Sequence, residues 1–158
     1  MACSYCYVPR RKGYSNPITI FVNIEQIIHY LRSHTAKQGV LLQPDHIDDK
    51  YWVYEFGEQG DCSVDAAICN NVKDLMNLFK ETSNAKLTFA TKFVNRQILT
   101  YDPQLKTRIR FSLIPHKMSK LVDVRTSPIS DRIDVMNDFA DIDYEVNVNF
   151  SPVIFYEG

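Results

Sequence analysis

The sequence lacks any long hydrophobic run. No stretch of about 18 consecutive apolar residues occurs, which excludes a transmembrane helix. The first twelve residues, MACSYCYVPRRK, also lack the apolar segment of a secretory signal peptide. We therefore predict a cytoplasmic protein with no membrane partner.

An excess of charge of either sign is also missing. The 18 basic and 19 acidic side chains give a formal net charge of −1. Proteins that bind nucleic acid through their overall field are usually strongly basic, so any contact with DNA has to be local. The only dense basic run is Arg10, Arg11 and Lys12, which suits either a bound anion or a solvated loop.

Cysteines are few, and their spacing matters more than their number. Four cysteines in 158 residues are too few for a disulfide scaffold. Cys3 and Cys6 form a C-x-x-C pair, whereas Cys62 and Cys69 have the wrong spacing for a second zinc-binding pair. The spacing alone leaves three interpretations open: incidental or structural cysteines, metal or cluster ligation, and redox chemistry.

The composition, with 45% hydrophobic residues, is typical of one globular domain, which we place at residues 1–158. Apolar periodicity predicts helices at 24–31, 64–79, 94–101 and 128–142, alternating with strands at 51–56, 86–92, 108–114 and 145–150. This alternation indicates right-handed βαβ crossovers and a parallel sheet.

Capping residues mark the starts of three of these helices. Asn23 with Gln26 predicts a capping box for the first helix. Asp61 or Ser63 is placed to cap the second. Ser127 precedes a proline, which is favoured at the first position of a helix.

Two features indicate a partial barrel. The series opens on a cysteine-bearing loop and a helix, where a βα series normally opens on a strand. Four strands also cannot close an eight-stranded barrel, which typically takes about 250 residues. We therefore expect an α/β fold that is a partial TIM-barrel-like parallel βα repeat, with its chemistry at the carboxyl ends of the strands.

The cysteine pair belongs to a longer motif. The segment CSYCY (3–7) resembles the end of the C-x-x-x-C-x-x-C cluster loop of radical S-adenosylmethionine (SAM) enzymes. Further segments are, in order, YCYV (5–8), TKF (91–93), TRIRFS (107–112) and FSPVI (150–154). Together, over nearly the whole chain, they resemble the spore photoproduct lyase family of radical SAM proteins.

The resemblance implies a fragment of a radical SAM barrel that holds a four-iron four-sulfur (4Fe-4S) cluster through Cys3 and Cys6. Thiolates are the soft ligands that such clusters require. The first cysteine of the family triad would fall two positions before Met1, so we expect a truncated piece that binds iron poorly and is inactive as given. Beyond Gly158 the family continues into further barrel strands and elements that contact DNA.

The implied activity is that of a lyase. Once an electron donor reduces the cluster, SAM is cleaved to methionine and a 5′-deoxyadenosyl radical, which starts the repair of a thymine photoproduct in DNA. Two alternatives remain open. One is a radical SAM enzyme with another substrate, and the other is a noncatalytic α/β remnant that lacks the cluster.

Four residues are candidates for SAM binding. Lys92 and Ser112 match family positions that contact SAM, and Gly57 with Glu58 resembles half of the family's Gly-Gly-Glu motif. From the residues alone, Lys92 and Ser112 are equally consistent with solvated polar side chains at strand ends. Gly57 and Glu58 are likewise consistent with a plain turn that ends a strand.

Three further residues are candidates for the radical chemistry. Cys62 matches the cysteine that returns a hydrogen atom to the substrate radical in the family, and Tyr5 and Tyr7 match tyrosines proposed to pass that hydrogen on. The alternatives are a small buried cysteine and aromatic side chains that only pack. Cys69 is interpreted as a core residue.

Two arginines share one face of the predicted third strand. Arg108 and Arg110 alternate with apolar residues, so both point to the same side of the sheet. Inside a barrel such charges must be paired or close to solvent. Glu55 and Glu58 are the candidate partners.

Overall fold

The computed structural model of the protein describes residues 3–9 and 19–155, so the basic run at 10–12 lies outside the described residues. Four strands form one parallel sheet in sequence order, which confirms the predicted α/β architecture. They are β1 (Trp52–Glu55), β2 (Ala85–Thr91), β3 (Thr107–Leu113) and β4 (Glu145–Phe150). Because all the strands are parallel, their carboxyl ends meet along one edge of the sheet.

The helices, one before β1 and the others between the strands, pack mainly on one face of this sheet. They are α1 (Ile24–Gln38), α2 (Cys62–Asp65), α3 (Asn71–Glu81), a 3-10 helix (Arg96–Thr100), α4 (His116–Val122) and α5 (Ile129–Ala140). In the described ranges no helix combines the length and the apolarity that crossing a membrane requires.

The predicted second helix at 64–79 is wrong, because the structure divides it into α2 and α3. Ile68 lies in the break and is 42% exposed, so it does not share the buried face of α3. Two short helices, separated by residues 66–70, produced one apparently continuous apolar period. Asn70, the N-cap residue of α3, belongs to a residue type that favours helix starts.

The predicted caps have mixed outcomes. Asp61 caps α2, since its side chain accepts a hydrogen bond from the backbone N–H of Ser63. Asn23 stands at the N-cap of α1 but makes no capping hydrogen bond with its side chain, so the capping box is wrong. Helix α5 begins one residue after Pro128, and the hydroxyl of Ser127 instead accepts from the Val94 N–H at 2.8 Å.

The core lies between the sheet and the helices. Alternate residues of the two central strands are almost fully buried there: Leu87, Phe89, Ile109 and Phe111. The ring of Phe111 meets that of Phe139 in α5 edge to face, with centroids 5.5 Å apart. Burial of each such side chain contributes about 1.5–3 kcal/mol, which fixes the positions of the strand ends.

The opposite face of the sheet is charged near the amino ends of the strands. Asp48, in the loop before β1, accepts from Lys86 at 2.7 Å and from Arg108 at 2.8 Å, and both cations also contact Glu145. Arg108 therefore pairs with Asp48 and Glu145 instead of the predicted glutamates. The expectation for Arg110 is confirmed, because it pairs with Glu55.

We expect Asp48 to make folding stability pH-dependent in acid. Burial alone would raise its pKa, but hydrogen bonds from Lys86 and from the N–H groups of Lys50 and Tyr51 outweigh burial and lower it from 3.8 to about 2. A depressed folded-state pKa gives stability that is fully present above the unfolded value and is lost as the pH falls through the folded value. The Asp48 contribution, about 2 kcal/mol, therefore disappears between about pH 5 and 2.

Urea unfolding from pH 7 to 2 measures this effect. Asp48→Asn should be less stable at pH 7 and show a shallower loss of stability in acid than the wild type. Asp49→Asn is the matched control, because Asp49 is an exposed aspartate in the same loop. Parallel pH profiles for the wild type and Asp48→Asn would contradict the expectation.

Candidate functional site

The cysteine loop, residues 3–9, lies against the C-terminal end of α4. The Ser4 N–H donates to the Val122 carbonyl at 2.9 Å. The Cys6 N–H donates to the Cys3 carbonyl at 3.0 Å, which closes a turn with both thiols on it. Both cysteines are free and half-buried. The C-x-x-C pair therefore sits on an ordered turn.

Tyr5 connects this loop to the carboxyl edge of the sheet. Its hydroxyl donates to Asp123 Oδ1 at 2.6 Å and accepts from the Lys92 ammonium. Lys92 directly follows β2, donates to the same Asp123 oxygen at 2.8 Å, and lies 4.6 Å from the centroid of the Tyr5 ring. The structure thus brings Tyr5 and Lys92, both predicted from the sequence, into direct contact.

Asp123 and Arg132 form a buried pair behind these residues. Arg132 is completely buried, and its Nη1 and Nη2 both lie 3.3 Å from Asp123 Oδ2. Arg132 also donates to the carbonyl of Ser112 at 2.7 Å and to the Thr126 hydroxyl at 2.6 Å. Two cations, Lys92 and Arg132, therefore share one carboxylate.

The sequence alone identified neither Asp123 nor Arg132. Asp123 follows α4, a helix that the apolar periodicity did not predict. One signal was available, because Asp123 is the only acidic residue between positions 103 and 130, a segment with six lysines and arginines. A lone carboxylate among cations indicates an ion pair, but the partners in the structure, Lys92 and Arg132, both lie outside that segment.

Asp61 joins the end of β2 to the start of α2. Its buried carboxylate accepts from the Ser63 N–H at 3.0 Å, the Thr91 hydroxyl at 2.8 Å and the Lys92 N–H at 2.9 Å. Burial raises the pKa of Asp61, while these hydrogen bonds act in the opposite direction. These hydrogen bonds fix the position of Asp61, and thereby of the next residue, Cys62, beside the carboxyl edge of the sheet.

Cys62 is buried and protonated. Only 5% of it is exposed. Burial, with smaller contributions from the negative charges of Asp65, Asp61 and Glu55, raises the pKa of its thiol to about 12. At neutral pH the Cys62 side chain is therefore a protonated thiol, whereas a thiolate is the form that ligates a metal.

A cavity of about 590 Å³ adjoins Cys62. It is lined mainly by apolar side chains of the segment at 19–27 and of α3, together with Phe56 and Phe89. Cys69 lines the same cavity and is half-buried, so it is less enclosed than the predicted core residue.

Gly57 and Glu58 form the turn that follows β1. Gly57 has a φ of +79°, and a Cβ placed on it would lie 2.8 Å from the Cys62 sulfur. The Glu58 carbonyl accepts from the Tyr7 hydroxyl at 3.0 Å. The cysteine loop therefore contacts the sheet edge at two places, through Tyr5 and through Tyr7.

The close approach of Gly57 to Cys62 gives a prediction. Gly57→Ala combines an unfavourable positive φ with a steric clash, so we expect it to cost about 1–3 kcal/mol more than Gly39→Ala. Gly39 is a matched control, with a φ of +65° and no atom within 4 Å of its added Cβ. Urea unfolding of both variants measures the difference, and equal losses would contradict a clash with Cys62.

Ser112 lies near the carboxyl end of β3, on the sheet face that carries Arg110. It is buried and stands in register with Asn149 of β4. Its carbonyl is the acceptor for Arg132, so the same buried arginine connects Ser112 to Asp123. Among residues 3–9 and 19–155, no three or more histidine, cysteine or acidic side chains are grouped to hold a metal ion.

Comparison with known proteins gives a family match over the whole sequence. The model of the family described as spore photoproduct lyase matches residues 1–158. The chain is 24% identical over 157 residues to the spore photoproduct lyase of Bacillus subtilis (strain 168) and likewise 24% identical to that of Clostridium acetobutylicum. Each alignment covers 99% of this chain, but the chain spans only 43% and 44% of these two relatives.

Solved structures of spore photoproduct lyases share the fold. One, complexed with dinucleoside spore photoproduct, superposes with a TM-score of 0.85 at 20% identity, over 98% of this chain and 43% of that chain. Another, a double mutant with bound AdoMet and dinucleoside spore photoproduct, gives a TM-score of 0.86 at 21% identity, over 99% and 44%. The described sheet and helices therefore share the fold of part of these structures.

Proposed function

This chain belongs to the spore photoproduct lyase family, and from that membership we propose that it forms the cofactor-binding part of a radical SAM enzyme that repairs thymine photoproduct in DNA. The solved relative that holds both AdoMet and a dinucleoside photoproduct supports the choice of cofactor and substrate. The proposal includes DNA and an electron donor as partners. One observation carries it: the contact of the cysteine loop with Lys92 at the carboxyl edge.

Cys3 and Cys6 carry the type of side chain that ligates a 4Fe-4S cluster. They are free thiols on one ordered turn, and they supply two of the three thiolates that the family resemblance implies. Cys62 does not complete the set, because no three histidine, cysteine or acidic side chains are grouped to hold a metal ion among the described residues. When bound, the reduced cluster and SAM supply a 5′-deoxyadenosyl radical that abstracts hydrogen from the substrate.

Lys92 is the proposed partner of the SAM carboxylate. Its ammonium donates to Tyr5 and to Asp123, which leaves one N–H without a partner among the described residues. This remaining N–H belongs to a cation, which makes it a suitable donor to a carboxylate. Ser112, whose carbonyl is tied to the same arginine, is the proposed second contact.

Cys62, Tyr5 and Tyr7 are the proposed path for the returning hydrogen atom. A thiol that stays protonated can give up a hydrogen atom, because its S–H bond is weak. The burial that raises the pKa of Cys62 keeps that hydrogen in place at neutral pH. The Tyr7 hydroxyl donates to Glu58, and the neighbouring Gly57 lies against the Cys62 sulfur. The tyrosine and the thiol therefore contact the same turn.

SAM affinity tests the proposed function. In an extended, cluster-loaded protein, we expect Lys92→Ala to weaken SAM binding by about 10- to 100-fold, the effect of losing a hydrogen bond to a charged group. Ser112→Ala should cost less. Lys80→Ala is the control, since Lys80 pairs with Asp102 on a different part of the surface. Equal SAM affinity in the wild type and both site variants would remove Lys92 and Ser112 from the site.

A further inference from the structure

We infer that Asp123 is a positioning residue that sets the cysteine loop and Lys92 in one arrangement. One carboxylate oxygen, Oδ1, accepts hydrogen bonds from the Tyr5 hydroxyl and the Lys92 ammonium. The other, Oδ2, accepts from Arg132. The docking of the loop follows from these contacts alone. Only its consequence for the cofactor rests on the proposed function.

The burial of Asp123 makes it a rigid anchor. Its side chain and that of Arg132 are both fully buried, so water does not compete for their hydrogen bonds. The backbone N–H of Asp123 also donates to the Ser119 carbonyl at 2.9 Å, which fixes the residue to the end of α4. Arg132 belongs to α5, so two helices determine where the carboxylate points.

The cysteine loop, by contrast, is held to this end of α4 by two hydrogen bonds. The Ser4 N–H donates to Val122 and the Tyr5 hydroxyl donates to Asp123, so both acceptors are neighbouring residues of the same turn. Tyr5 is 40% exposed, so its ring is partly covered as well, but its hydroxyl binds a charged acceptor whose side chain is fully buried. The hydrogen bond to Asp123 is therefore a main determinant of where Cys3 and Cys6 lie.

The same oxygen also orients Lys92. Since the ammonium donates to Asp123 and Tyr5 together, its remaining N–H has one direction available. If the proposed function holds, Asp123 sets the distance between the cysteine turn and the cation that takes the SAM carboxylate. It does so without touching the cofactor, through Tyr5 and Lys92.

Hydrogen exchange of the 158-residue chain, read by mass spectrometry, tests the docking. We expect Tyr5→Phe and Asp123→Asn to speed exchange in segment 3–9 about tenfold, while segments in β2 and β3 keep their wild-type rates. Asp138→Asn is the matched control, because Asp138 makes an exposed ion pair with Arg96 and should change neither. Tyr5→Phe decides the result if Asp123→Asn does not fold, since it leaves the Lys92, Asp123 and Arg132 charges in place.

The ¹⁵N signal of the Lys92 ammonium is a second readout. It would not change if Tyr5 and Asp123 only stabilised the fold. In ¹⁵N-lysine-labelled protein its signal is identified by its loss in Lys92→Met. We expect that signal to shift in Tyr5→Phe and in Asp123→Asn and to stay unchanged in Asp138→Asn. Unchanged exchange in segment 3–9, or faster exchange in all segments together, would overturn the inference. Neither readout needs the cofactor, so a failed SAM-binding test would reject the proposed function and leave the docking result standing.

Discussion

Cys62→Ala, in an extended protein that contains this chain and repairs DNA, is expected to leave SAM cleavage intact while lowering thymine recovery by more than about tenfold. The substrate radical needs a hydrogen atom after the photoproduct splits. The buried, protonated thiol of Cys62 is the proposed donor, and an alanine methyl group cannot replace its weak S–H bond. The radical is then quenched by other routes into trapped thymine products.

Chromatography of the reaction products, alongside 5′-deoxyadenosine release, measures both halves of this expectation. Cys69→Ala is the control. That thiol lines the same cavity, yet the variant should cost only stability, up to about 1 kcal/mol. Normal thymine recovery by Cys62→Ala would eliminate the donor role and favour a radical SAM enzyme with another substrate.

Arg132→Met is expected to destabilise the fold by about 3–5 kcal/mol, the cost of removing one partner of a buried ion pair. The Asp123 carboxylate would keep Lys92 but lose the contacts to its second oxygen. The Ser112 carbonyl would also lose its donor. Because these acceptors lie out of reach of bulk water, their loss is not recovered by solvation.

The exposed pair Arg96 and Asp138 provides the comparison. The two side chains are 64% and 44% exposed, so Arg96→Met should cost less than about 1 kcal/mol. Urea unfolding at pH 7 measures both variants. Similar losses of stability in Arg132→Met and Arg96→Met would contradict the assignment of Arg132 as the buried anchor of this edge.

Much of the fold was predictable because strand and helix periods are local. The runs at 86–92, 108–114 and 145–150 each became a strand within one residue of the predicted bounds. The alternation of Arg108 and Arg110 with apolar residues predicted their common face, and the pairing of Arg110 with Glu55 confirms it. These patterns depend only on which side of a strand each residue occupies.

Helix ends and short helices were less predictable. The single helix expected at 64–79 is two helices. The apolar period continues through the break between them and therefore did not reveal it. Helix α4 has seven residues, and a helix that short is marginal without tertiary packing. Its local signal was therefore too weak to predict, and with it the position of Asp123 was missed.

The sequence by itself determined the parallel βα order, the C-x-x-C pair and the placing of Lys92 and Ser112 at strand ends. Only the tertiary structure decided that Tyr5 meets Asp123, because these residues are 118 positions apart in the chain. The choice of Arg132 and Lys92 as the cations on that carboxylate was likewise made by packing. Cations nearer in the sequence were equally suitable. The packing of α5 brings Arg132 to this carboxylate, and the position of Lys92 at the end of β2 brings the second cation.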